Sequence, residues 1–308
     1  MVAFSHFDMA ALRRTLKGRI SGPAEVLGYP CTMVIGFAVI AWMTDAGLPL
    51  PLATYAALTL ATLIIMGNEA CFPYRVSWAP HRAQVLDDSL FLSVVNVLWP
   101  KAMAFAVALA AVELNTSFGW AKVQIWPTFL PQIVQFAILL LISDFGRYWL
   151  HRACHMYEVL WRFHAVHHSP EGLYTLNAGR LHPIEVSLHF LIDVFPFILI
   201  GVPQPVLALY FLFYAINGFY KHANCRVRLG FLNSIVSGPE LHRWHHSYRP
   251  VESCANYGTN LIVWDRIFGT LYAPSGRSVR ELGLQDRTYP MGFLQQMAAP
   301  FRPERVRP

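Results

Sequence analysis

The chain has 308 residues, of which 55% are hydrophobic and 14% charged, with a mean hydropathy of +0.38. A soluble domain carries about 25% charged residues, so these figures exclude a disordered chain, a coiled coil and an ordinary soluble enzyme. The net charge of +6 is too sparse, and the apolar runs too long, for a nucleic-acid-binding protein; this balance suits a membrane protein facing anionic lipid.

In chain order, residues 1–27 read as a cytoplasmic segment. They carry His6, Asp8, Arg13, Arg14, Lys17 and Arg19 with no apolar core, so no cleavable signal peptide is expected. A spanning helix needs about 20 mostly apolar residues. Leu27 to Met43 and Leu50 to Met66 meet this, joined by a tight turn at 44–49. A third run, Leu90 to Val112, is interrupted by Pro100 and Lys101, and a fourth extends from Phe129 to Leu150. Two further apolar stretches, Val186 to Val202 and Val206 to Gly218, are separated by Pro203-Gln204-Pro205 and read equally as a spanning pair or a re-entrant hairpin. The expected fold is all-α: an integral membrane helical bundle with a cytoplasmic-side helical histidine domain. The expected divisions are membrane helices 1–3 over 28–128, a catalytic domain including the fourth over 129–275, and a C-terminal tail over 276–308, whose end from Phe301 is basic, Pro-rich and expected to fray. Lys and Arg alternate between successive loops, which puts the N-terminus, and everything after residue 150, in the cytoplasm. Five cysteines, with no CxxC pair, are expected to stay reduced.

Thirteen histidines are present, and eleven fall between residues 151 and 246. His151 and His155 form HxxxH. His164, His167 and His168 form HxxHH, and His242, His245 and His246 repeat that spacing. On a helix, positions i, i+3 and i+4 share a face, so each box presents its imidazoles in one direction. Eight such rings exceed one tetrahedral zinc site and suit two metal ions; imidazole alone does not choose among zinc, copper, iron and nickel. His182 and His222 are candidate extra ligands. His6 and His81 are isolated and read as ordinary residues, while His189 reads as paired with Asp193 rather than as a ligand. Asp144, Tyr148, His151 and His155 share one helix face, so Asp144 or Tyr148 is a candidate to orient His151, with Glu185 and Asp265 as weaker candidates for such support. Arg152 and Arg243, inside boxes, are read as pairing with carboxylates or holding a polar lipid head group.

Several spaced motifs carry a resemblance. Asp144-Phe-Gly-Arg-Tyr148-Trp149-Leu-His151-Arg152-Ala-Cys-His155, then His164-Ala-Val-His167-His168, resemble the first two histidine boxes of the fatty acid hydroxylase / sterol desaturase superfamily of membrane di-iron oxygenases. The stretch from Asn177 through Arg180, His182 and Pro183 to Glu185, and His222 with Asn224, resemble its connecting motifs. His242-Arg-Trp-His245-His246 resembles its third box, and Asn256-Tyr-Gly258 and Trp264-Asp265 resemble the stretch after that box. The resemblance covers about residues 130–275. It implies metal ligands at His151, His155, His164, His167, His168, His182, His222, His242, His245 and His246, with Asp144 and Tyr148 as the candidate catalytic residues. It implies two Fe ions with O2 as co-substrate, and hydroxylation or desaturation of a sterol, fatty acyl chain or other membrane lipid. No nucleotide-binding or haem segment accompanies the boxes, so electrons are expected from a separate ferredoxin- or cytochrome-type protein with its reductase. The expected location is a bacterial inner membrane with the site on the cytoplasmic side, the alternative being the endoplasmic reticulum.

Three rival readings have specific weaknesses. A transporter or metal-handling protein would place relay histidines within its spans, whereas most boxes come after them. A zinc hydrolase of the HExxH kind needs a carboxylate base where Arg152 and Ala153 stand. A bis-histidine haem protein is the third and weaker reading.

Overall fold

The computed structural model describes the backbone of residues 9–118 and 125–302, with side chains over 22–110 and 125–302. Helices dominate, and among the described residues β-structure is limited to three isolated bridges. The long helix α1 (Met9–Asp45) turns at Gly47, whose φ of +78° favours glycine, into α2 (Leu50–Cys71). The third apolar run starts earlier than its hydropathy suggests, as α3 (Arg82–Leu90) capped by His81, and continues without a break through a π-helical stretch, Phe91–Leu98, into α4 (Trp99–Phe118). Pro100 cannot donate to the carbonyl four residues back, and the helix is widened just before it. Within that widened turn Asn96 donates to the carbonyls of Phe91 (3.0 Å) and Gly179 (2.5 Å). Lys101 lies over the ring of Tyr55 on α2 at 5.0 Å, which gives its charge an aromatic face.

The fourth run is α5 (Gln132–Met156), which carries the first histidine box on its last turns. Four helical segments, Gly22–Asp45, Leu50–Cys71, Arg82–Ala110 and Gln132–Met156, are long and apolar enough to cross a bilayer. Large apolar side chains on them face outward: Val34 is 67% exposed, Leu63 61%, Phe105 67% and Ile133 66%. Such continuous exposure fits contact with lipid.

The box domain comes next. A tight joint at Tyr157 leads to α6 (Glu158–His168), which bears the second box. The apolar stretch after residue 183 is divided into α7 (Pro183–Asp193) and α8 (Phe195–Leu199); at about 1.5 Å per residue neither is long enough to span. The next helix, α9 (Gln204–His222), packs against α1, α2 and α5 and delivers His222 at its C-terminal end. The third box lies on α10 (Pro239–His245), after which come the short α11 (Pro250–Ser253), α12 (Val263–Ile267) and α13 (Phe293–Ala298). Residues 276–302 are not a loose tail. Gln296 is fully buried and, with the Met291 carbonyl, accepts from Arg180. The end of the basic tail, 303–308, lies outside the described residues, as do His6 and Lys122.

One core joins α1, α2 and α9 through Tyr29, Met33, Ala57, Ala61, Leu212 and Ile216. The row of alanines on α2 lets the helices approach closely, as membrane helix packing requires. Polar cross-links add to it: the Tyr29 hydroxyl donates to Asn217 (2.9 Å) and Tyr220 donates to the Gly28 carbonyl (2.8 Å).

Candidate metal centre

Nine of the ten histidines expected as ligands converge. His151, His155, His164, His168 and His245 place ring nitrogens within 4.8 Å of one another, and His167, His222, His242 and His246 form a second such group. The groups touch: the rings of His168 and His246 stack at 4.5 Å, and His246 Nε2 lies 3.2 Å from His167 Nε2. The ends of α5, α6 and α9 and the helix α10 contribute the rings, and the loops between them hold the rings in place.

The direction of each ring is set from outside. His151 Nδ1 lies 2.7 Å from the Tyr257 carbonyl, His245 Nδ1 2.7 Å from that of Ala255, and His167 Nδ1 3.2 Å from that of Arg180. His164 Nδ1 lies 2.7 Å from Glu185, and His222 Nδ1 2.9 Å from the Asn177 side-chain oxygen. Each partner is an acceptor, so these five Nδ1 atoms carry the proton and donate it outward. Their Nε2 atoms are then lone pairs, and they point inward. His151 and His164 face each other across 3.1 Å, as do His164 with His168 and His168 with His245. Lone pairs so close repel unless a cation lies between them. Buried nitrogens without any partner sharpen the contrast: both of His155, and Nδ1 of His242 and His246. Burial keeps six of the clustered rings neutral. His167, His168, His222, His242 and His246 are pushed well below the usual histidine range, and His245 to about 3. A neutral imidazole is the form that binds a metal.

His182 does not join them. Its Nδ1 accepts from the Ile184 backbone N–H at 3.2 Å, capping α7, and its Nε2 faces the Met297 carbonyl at 3.3 Å. The helix-start signal of Pro183 explains this better than a ligand role does. Asp144 and Tyr148 do not reach His151 either. The Asp144 carboxylate is fully buried and accepts from the backbone N–H of Asn260 (2.6 Å) and Leu261 (3.0 Å), while the Tyr148 hydroxyl pairs with Thr270 at 3.0 Å. Support for His151 passes instead through a loop. Asp265 accepts from the N–H groups of Tyr257 (2.8 Å) and Gly258 (2.7 Å), fixing the Tyr257 carbonyl that holds the ring. Glu185, the weaker sequence candidate, makes a direct contact, with His164. Asn177 serves His222 through a contact across 45 positions in sequence, which no local spacing reveals.

His189 pairs with Arg147 (3.0 Å) rather than with Asp193, and Arg147 takes Asp193 and Tyr214 as well. Arg147, His189 and Tyr214, with Lys221, line a cavity of about 70 Å³ that reaches His151, His167 and His222. The histidine centre therefore borders a small chamber among α5, α7 and α9.

Fold and centre together define a membrane-embedded helical bundle whose box domain gathers nine imidazoles into two adjoining groups. Residues 136–270 match the fatty acid hydroxylase family. An ornithine lipid hydroxylase of Rhizobium tropici is 33% identical over 296 residues, 92% of this chain and 86% of the relative. The human alkylglycerol monooxygenase is 30% identical over 158 residues, 51% of this chain and 34% of that protein. A Δ(7)-sterol 5(6)-desaturase of Aspergillus fumigatus is 31% identical over 151 residues, 46% of this chain and 39% of the relative. No solved structure matches. The chain belongs to the fatty acid hydroxylase / sterol desaturase superfamily, and it is a lipid-modifying oxygenase.

Proposed function

We propose that this protein hydroxylates an amino-acid-containing membrane lipid, using two iron ions held by the nine clustered histidines. The observation that carries the metal assignment is the proton count: five rings donate their only N–H outward and aim bare Nε2 lone pairs at one another. The donor set fits iron. It is all nitrogen, with every ring but the half-buried His151 buried, and the imidazoles fall into one group of five and one of four, adjacent to each other. Cys154 also lies near His164 and Glu185, where one Glu185 oxygen is held by His164.

Bound iron would supply the reductive activation of O2 that an unactivated C–H bond requires. The protein's share is positioning and exclusion. Glu185 fixes His164, and the Tyr257, Ala255 and Arg180 carbonyls fix His151, His245 and His167, so little reorganisation accompanies metal binding. The burial of the rings keeps water from the centre. The chamber bordered by Arg147, His189, Tyr214 and Lys221 offers polar partners next to it. In balance, a lipid C–H and O2 give C–OH and water, with two electrons and two protons from outside. A separate ferredoxin- or cytochrome-type protein is proposed as the electron source. The site is proposed to face the cytoplasm of a bacterial inner membrane.

Hydroxylation is favoured over desaturation by the relatives: likeness to an ornithine lipid hydroxylase runs through 92% of the chain, and likeness to a sterol desaturase through 46%. The test is lipid mass spectrometry of cells with and without the protein, fed amino-acid-containing lipid. A gain of one oxygen that disappears in His245→Ala supports the reading. Loss of two hydrogens, or a product that survives His245→Ala, contradicts it.

A further inference from the structure

A second cavity, of about 860 Å³, lies on the other side of α10 from the histidines. Its charge is lopsided: Arg75, Arg226, Arg228, Arg243, Arg266 and Arg277 line it against two carboxylates, Glu25 and Glu240. Both carboxylates are committed. Glu25 pairs with Arg228 at 3.0 Å, and Glu240 accepts from the Leu229 N–H (2.8 Å) and Asn233 (2.5 Å). Arg277 is held by Glu252 (3.0 Å) just outside the cavity, and Arg75 by the carbonyls of Val279 and Arg280. Arg226 and Arg266 are exposed and have no side-chain partner among the described residues. Arg243 is the most telling. It is 4% exposed, lies 4.0 Å over the Tyr74 ring and donates to the Cys225 carbonyl at 2.6 Å, yet its Nε has no acceptor. A buried cation with a free donor at a cavity wall is costly unless an anion completes it.

The place of the cavity says which anion. Glu25 stands three residues into the first spanning segment, and Tyr74 and Arg75 come directly after the end of the second. The cavity therefore opens at the level where two spans leave the bilayer. Phe231 on its rim is 77% exposed, as an aromatic side chain at a lipid boundary would be. Basic pockets beside membrane helices at this depth take anionic head groups. We propose that this cavity binds the phosphate of an anionic phospholipid such as phosphatidylglycerol, with Arg226, Arg243 and Arg266 as its recognition groups. Because Arg243 lies between His242 and Trp244 on α10, the bound lipid braces the helix that carries the third box from behind.

The test is native mass spectrometry of the full-length protein released from nanodiscs of mixed phosphatidylglycerol and phosphatidylcholine. Expected is one retained phosphatidylglycerol per chain, at least tenfold preferred over phosphatidylcholine. The double substitution Arg226→Glu with Arg266→Glu should reduce retention at least tenfold, and Arg249→Glu, exposed but outside the cavity, should not. Thermal melts in the same nanodiscs separate loss of binding from loss of folding: the double variant should melt in phosphatidylglycerol as the unaltered chain melts in phosphatidylcholine. Equal retention of both lipids, unchanged retention in the double variant, or full displacement of the lipid by millimolar glycerol 3-phosphate, which would mark a soluble phosphate as the ligand, each overturns the proposal.

Discussion

His182 and His164 show how far a side-chain pattern can be read. Both stand between apolar neighbours in a histidine-rich segment, but one caps a helix and the other faces the cluster. The boxes are legible in sequence because their ligand spacing coincides with the helical repeat. The supporting residues are not, because Glu185, Asn177 and the Tyr257 carbonyl reach their rings through tertiary contacts. Glu185→Gln keeps the shape and removes the charge behind His164, so iron affinity should fall about 10–100-fold; metal titration checks it, and unchanged affinity would mean the contact is incidental. His182→Ala should keep the full iron content and lose about 1 kcal/mol of stability, the scale of a lost N-cap, measured by metal analysis and chemical unfolding; loss of one iron would restore His182 as a ligand.

At the scale of elements, hydropathy locates four spanning segments, because a bilayer demands long apolar runs and little else disguises them. It does not decide the region after residue 183. There the break at Asp193 and Val194 comes just before Pro196, which cannot donate to the carbonyl of Ile192, and it turns one apolar stretch into two short helices beside the Arg147–Asp193 pair. Nor does it reveal the π-helical turn at Phe91–Leu98, where Asn96 reaches an acceptor at Gly179 far along the chain. Helical spacing makes Asp144 a partner for its neighbour His151; in the fold it ties α5 to the loop at Asn260 and Leu261 instead. Asp144→Ala would orphan two buried N–H groups at about 1–3 kcal/mol each, so a loss of about 2–6 kcal/mol is expected in a melt of the purified protein. An unchanged melting temperature would show that the loop does not depend on this carboxylate.

For the whole molecule, if four helices cross the membrane in turn, the end of α2, the start of α3 and the end of α5 share one face with the box domain. Cys71, at the end of α2, and Cys254, beside α11, are exposed, and Cys31 is exposed on α1 within its candidate spanning segment. A membrane-impermeant maleimide is expected to label neither Cys71 nor Cys254 in intact bacterial cells and both in inside-out vesicles, with Cys31 protected by lipid in each. Labelling of Cys254 in intact cells would reverse the orientation.

Two-iron chemistry also requires the two imidazole groups to act as one centre, since either group alone could hold a single ion of another kind. The most direct test is the iron content of protein that has been reconstituted without oxygen and freed of loosely bound metal. Two iron atoms per chain, falling when His245→Ala or His242→Ala is introduced, are predicted. A chain that oxidises its lipid fully while holding one iron, or another metal only, would contradict the account.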